Sequence, residues 1–155
     1  MIYMDCNATT PCDKRVVEAM IPYFGDEFGN PSSLYLSART AKKAVEKARA
    51  DVAALLGCAP EEIFFTSGGT EADNWAIKGA AFHLRDKGKH IITSGIEHHA
   101  VLNTCKSLEK AGYEITYLPV DKYGIVDIEE LKKSIRKDTV LITIMYANNE
   151  IGTIQ

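Results

Sequence analysis

The chain has 155 residues, enough for one domain with a hydrophobic core, and its apolar share of 46% and charged share of 25% are ordinary for a globular protein in water. A net charge of −3 gives no basic balance toward nucleic acid or anionic lipid, and no apolar run approaches the ~20 residues of a membrane span. The start Met1-Ile2-Tyr3-Met4-Asp5 carries no signal-peptide pattern, and Cys6, Cys12, Cys58 and Cys105 show neither CxxC nor zinc-ligand spacing, so the expectation is a cytoplasmic protein with free thiols and no metal site.

In chain order, residues 13–24 read as a short helix with Val16, Val17, Met20 and Ile21 on one side. Residues 25–33 are loop, punctuated by two glycines, a proline and two serines. Residues 38–56 form an amphipathic helix in which Ala41, Ala44, Val45, Ala48, Val52, Leu55 and Leu56 recur at three- and four-residue steps, and Gly57 closes it. Its basic residues Arg39, Lys42, Lys43, Lys47 and Arg49 are interrupted by Glu46 and Asp51 at helical spacing, which makes them a solvated face. Ile63-Phe64-Phe65-Thr66 reads as a strand, followed by a glycine turn and a helix over 70–85. Strands at 90–93, 113–120 and 140–146 then alternate with helices at 99–111 and 127–136. Alternation of this kind predicts an α/β layer on a mostly parallel sheet. A domain of this type normally continues past the last strand, so a fragment or one half of a split protein is the expectation.

Four segments can carry chemistry. Thr66-Ser67-Gly68-Gly69-Thr70-Glu71 joins a strand to a helix. Its glycines admit close approach, and the helix start offers unpaired N–H groups and a partial positive charge, so a phosphate is its natural occupant with the Thr70 hydroxyl as an extra donor. The competing reading is a plain turn capped by Thr70 with Asp73 as its capping-box partner. Glu97-His98-His99-Ala100 lies at a strand-to-helix junction, where α/β proteins place ligands. There, adjacent histidines should point apart, and a lone junction histidine also serves as a cap or surface residue. Asn148-Asn149-Glu150 follows the last strand and is either an amide donor to a ligand or a turn. Phe28-Gly29-Asn30-Pro31-Ser32-Ser33 is a tight polar loop whose composition does not require binding.

Together these segments resemble the cysteine desulfurases of the class-V aminotransferase group, within the type I pyridoxal-phosphate (PLP) fold. The likeness runs through DCNATT at 5–10 (near the family's DNNATT), FGNPSS at 28–33, FTSGGTEADN at 65–74, EHHAVL at 97–102, YLPVD at 117–121 and ANNEIGTIQ at 147–155. Six motifs in one order are far more specific than any alone.

The resemblance implies that residues 1–13 are an N-terminal arm belonging with a small domain, and that 14–155 are an incomplete PLP-binding large domain. It implies that the Gly69 backbone and Thr70 hydroxyl hold the cofactor phosphate, that His98 stacks on the pyridine ring and shuttles protons as the catalytic histidine, and that Asn149 hydrogen-bonds the phenolic oxygen. Asn7 and Ala8 then lie near the substrate end. The activity implied is removal of sulfur from L-cysteine, giving L-alanine and an enzyme persulfide for an iron–sulfur scaffold or other sulfur acceptor, by a homodimer. Tyr35 stands where relatives often have His, and Cys6 replaces Asn or Ala. The family's lysine that carries PLP, the aspartate facing its ring nitrogen and the mobile-loop cysteine have no counterpart among these 155 residues, so the chain alone is expected to be inactive. None of the four cysteines sits in a catalytic motif, and Cys105 reads as core. A selenocysteine lyase or aminotransferase of the same fold, and a non-catalytic fragment, remain the alternatives.

Overall fold

The computed structural model describes residues 2–155, which divide into two compact units that meet in sequence between Phe65 and Thr66.

The unit up to Phe65 is helical. Helix α1, Lys14–Met20, begins at Asp13, whose carboxylate accepts the Arg15 N–H at 2.8 Å. The helix expected over 13–24 ends early: Ile21–Phe24 is a 3-10 turn, because Pro22 has no N–H to continue the α-helical ladder. Helix α2, Ala38–Leu56, has the bounds its periodicity implies, and Gly57 ends it with φ +72°, a conformation glycine adopts without strain. Gly29 is needed for another reason, since a Cβ there would stand 2.8 Å from the Ser37 carbonyl oxygen. The basic face of α2 is not wholly solvated. Arg49 is half-buried, donates to the Ile63 carbonyl and lies with its guanidinium 4.9 Å from the Phe65 ring centroid.

Ile63–Thr66 is not the strand expected. Ile63 is extended, at φ −95° and ψ 124°, but no ladder forms over 63–66, and both phenylalanine rings are exposed. An apolar β-type run becomes a strand only where a neighbouring strand supplies its hydrogen bonds, and none does so among the described residues.

The second unit, from Thr66, is an α/β layer. It contains α3 (Gly69–His83), β1 (His90–Ser94), α4 (His99–Lys110), β2 (Glu114–Leu118), α5 (Ile128–Ser134) and β3 (Thr139–Thr143). The sheet is parallel in the order β2-β1-β3, so β1 is central. Successive side chains of a strand point to opposite faces, and β1 is buried on both. Ile91 joins Ile77, Ala81, Val101, Cys105 and Leu108 beneath α3 and α4, while Ile92 packs with Leu118, Val126 and Leu131 on the α5 side. His90 is fully buried on that strand and bonds both neighbours, with Nδ1 2.7 Å from the Thr139 hydroxyl and Nε2 2.8 Å from that of Thr116. Asp127 starts α5 by accepting the Glu129 and Glu130 N–H groups. No helix among the described residues is long and apolar enough to cross a membrane.

Candidate active site at the carboxyl edge of the sheet

In an open parallel sheet the loops beyond the carboxyl ends of the strands form the ligand crevice, at the point where connections leave in opposite directions. The order β2-β1-β3 puts that point between β1 and β3. The loop after β1 carries Glu97 and His98, and the loop after β3 carries Asn148 and Asn149.

Two hydrogen bonds tie these loops together. Glu97, buried, accepts the Met145 N–H at 2.9 Å and the Ser94 hydroxyl at 2.6 Å through the same oxygen, Oε1. Asn148, also buried, donates through Nδ2 to the Ile96 carbonyl at 3.2 Å and accepts the Glu150 and Ile151 N–H groups at 2.9 and 3.0 Å. The segment is therefore a turn held by the Asn148 side chain, a geometry that does not decide between its two readings. Asn149 is exposed, with its amide 3.3 Å from the Glu150 carboxylate.

His98 is the N-cap of α4: its Nδ1 accepts the Ala100 N–H at 3.1 Å. A neutral imidazole that accepts at Nδ1 carries its proton on Nε2, so the cap selects the tautomer and leaves Nε2 for a ligand beside an exposed ring. The two histidines do not point apart. Because His98 stands outside the helix, helical spacing does not govern the pair. The rings lie 6.4 Å apart, and both line one cleft.

That cleft, of about 310 Å³, is walled by Thr70, Asn74 and Lys78 of α3 and by His98, His99 and Asn103. Thr70 is not a cap. The N-cap of α3 is Gly68, with no side-chain bond to the first turn, and the loop is closed instead by Glu71, which accepts the Ser67 N–H at 2.6 Å. The capping box with Asp73 is absent because Thr70 lies inside the first turn, where its carbonyl accepts from Asn74. The Ser67 N–H holds the Glu71 carboxyl below the usual range. Gly68 and Gly69 are bare for no internal reason: a Cβ on either would meet nothing within 4 Å. An uncapped helix start, open space over two glycines, the Thr70 hydroxyl and the Lys78 ammonium in the adjoining wall suit a phosphate-bearing ligand. Sequence reasoning missed Asn74 and Lys78 as cleft residues, although Thr70, Asn74 and Lys78 recur every four residues on one helix face.

Cys105 is fully buried, and burial pushes its thiol up to about 11, so it is core as expected. No cluster of three metal-ligating side chains occurs among the described residues.

The family pattern described as Aminotransferase class-V matches residues 2–155. The chain belongs to the aminotransferase class-V family. Among curated relatives of this class-V chain, the protein called "Cysteine desulfurase IscS" from Methanosarcina thermophila is 65% identical over 99% of the chain. The solved structure titled "NIFS-LIKE PROTEIN" superposes with a TM-score of 0.96 at 48% identity, and "SspA in complex with cysteine" with 0.93 at 45%, each over 99% of the chain. The class-V chain spans 38% of the length of that IscS relative and 42% and 44% of the two solved chains.

Proposed function

We propose that this chain forms the phosphate- and ring-holding part of a PLP-dependent cysteine desulfurase. The complete enzyme would be a cytoplasmic homodimer that converts L-cysteine to L-alanine and passes the sulfur, as an enzyme persulfide, to an iron–sulfur scaffold or other acceptor. The observation that carries this reading is the convergence, within one unit, of an uncapped glycine-bordered helix start with Thr70 and His98 on one cleft. A relative named as a desulfurase at 65% identity and a structural neighbour solved with cysteine support the substrate.

PLP, when bound, supplies the electron sink that lets a bond at the substrate Cα break. The protein's share is binding and orientation. The Gly69 N–H and Thr70 hydroxyl hold the phosphate, which the α3 dipole favours. His98 packs a ring face on the pyridine and exchanges a proton at Nε2, because Nδ1 is committed to the Ala100 N–H. The Asn149 amide donates to the phenolic oxygen. Asn7 and Ala8 belong to the unit up to Phe65 and enter through the resemblance alone, as residues of the substrate end.

The test is single-turnover chemistry in the complete enzyme loaded with PLP. One alanine released from L-cysteine for each persulfide sulfur trapped on the enzyme is the expected result. Turnover of selenocysteine without cysteine would make it a selenocysteine lyase, and amino-group transfer to a keto acid would make it an aminotransferase.

A further inference from the structure

Glu97 is a charged residue type with only 6% of its surface exposed, and Asn148 has only 7%. Side chains of these types are rarely buried without work to do, because an unsatisfied polar group away from water is costly. Each is followed by an exposed residue that the proposed site uses: His98 after Glu97, and Asn149 after Asn148. In both loops the inner side chain is the anchor and the outer one is presented. The anchors cross over. Glu97, on the loop after β1, holds the Met145 N–H beyond β3, while Asn148, beyond β3, holds the Ile96 carbonyl on the loop after β1. Ser94 supplies a third point, donating its hydroxyl to the same Glu97 oxygen at 2.6 Å.

We infer that Glu97 is a positioning residue. With Asn148 it locks the two loops in register, so that the His98 ring and the Asn149 amide keep a fixed spacing for one flat ligand. This rests on the site reading above. What Glu97 contributes is reach and an acceptor oxygen at Met145. Its charge is not needed, since the partners it holds are a hydroxyl and a backbone N–H.

Three substitutions in the PLP-loaded complete enzyme separate reach from charge. Glu97→Gln keeps the length and one acceptor oxygen. Glu97→Asp keeps the charge and withdraws it by one methylene. Glu97→Ala removes both. The readouts are the visible circular dichroism of bound PLP, the PLP dissociation constant, and hydrogen exchange at the Met145 amide. Glu97→Gln is expected to match the parent. Glu97→Asp and Glu97→Ala are expected to lose dichroic intensity, release PLP about tenfold more readily and exchange Met145 faster. The Gln and Asp variants give the answer even if Glu97→Ala does not fold. The reverse order, with Asp like the parent and Gln impaired, overturns the inference in favour of an electrostatic role, and four indistinguishable proteins overturn it outright. A parent enzyme that shows no bound-PLP dichroism would instead overturn the site reading, whatever Met145 exchange shows.

Discussion

The Glu71 carboxylate accepts the Ser67 N–H at 2.6 Å, closing the turn that leads into α3 from four residues further along the chain. Because this bond favours the ionised carboxyl, Glu71 titrates below its ordinary value of 4.5. The contribution is therefore complete above that value and is lost as the pH falls through the lower, folded-state value. The Ser67 amide resonance should shift with a midpoint below 4.5, and the shift should vanish in Glu71→Gln.

Thr70→Ala should leave the fold intact, because Thr70 makes no capping bond to the first turn of α3. Stability should change by no more than about 0.5 kcal/mol, as for a surface substitution. Cofactor retention should fall by about 10- to 100-fold, the worth of one charge-assisted hydrogen bond to phosphate. Equilibrium dialysis of PLP against the complete enzyme measures it, and an unchanged affinity removes Thr70 from the phosphate site.

His90 makes stability depend on pH near neutrality. Burial, helped by the Arg136 guanidinium and opposed by Asp138 and Glu114, lowers its pKa from 6.5, so the fold prefers the neutral ring. Above 6.5 the contribution is complete. As the pH falls below 6.5 the unfolded chain takes up the proton first, and stability is lost toward the lower folded value. Urea midpoints should drop between pH 7.5 and 5.5, and the drop should shrink in His90→Gln. A midpoint equally pH-dependent in both proteins would assign the effect elsewhere.

Much of this architecture is legible in the sequence, and the misses arise either where one residue decides an element's boundary or where a distant strand decides a residue's surroundings. The bounds of α2 follow from its three- and four-residue apolar steps and from Gly57, which are local signals. So do β1, α4 and α5, each within two or three residues. Ile63–Thr66 has strand composition but needs a partner strand to become one. Thr70 and Asp73 have capping-box spacing, yet the helix starts one residue before Thr70, so the box has no N-cap to act on. Helical spacing makes neighbouring residues diverge only inside a helix, and His98 is the cap before α4, so the expectation that it and His99 point apart fails. Glu97 and Asn148 were invisible as anchors, since their burial arises only when β1 and β3 become neighbours across some fifty residues of chain.

The cysteines should separate by reactivity. Cys6 and Cys12 are exposed, Cys58 is half-buried and Cys105 is fully buried with its thiol pushed up to about 11. With a thiol reagent at pH 8, Cys6 and Cys12 should react at once and Cys105 only on unfolding. Replacing all four in the complete enzyme should leave a trappable persulfide, and its loss with the fold intact would put one of them in the sulfur path.

His98 combines a structural duty with a proposed chemical one, and two substitutions pull them apart. His98→Ala removes the acceptor that Nδ1 offers to the Ala100 N–H and should cost about 1 kcal/mol, the usual worth of a helix N-cap. It also removes the ring, so lost activity in this variant has two explanations. His98→Asn restores a cap of the preferred type while leaving no ring to stack and no Nε2 to move a proton. The expected outcome is a melting temperature equal to or above the parent's, with PLP still bound, its absorbance shifted and turnover lowered at least about tenfold, as for loss of a positioned acid–base group. His99→Ala is the companion measurement, because His99 lines the same cleft and its ring lies 6.4 Å from that of His98. It should alter PLP affinity more than turnover, since His99 is presented by the first turn of α4 and carries no proposed proton transfer. If His98→Asn turns over like the parent, this histidine is a helix cap and nothing more.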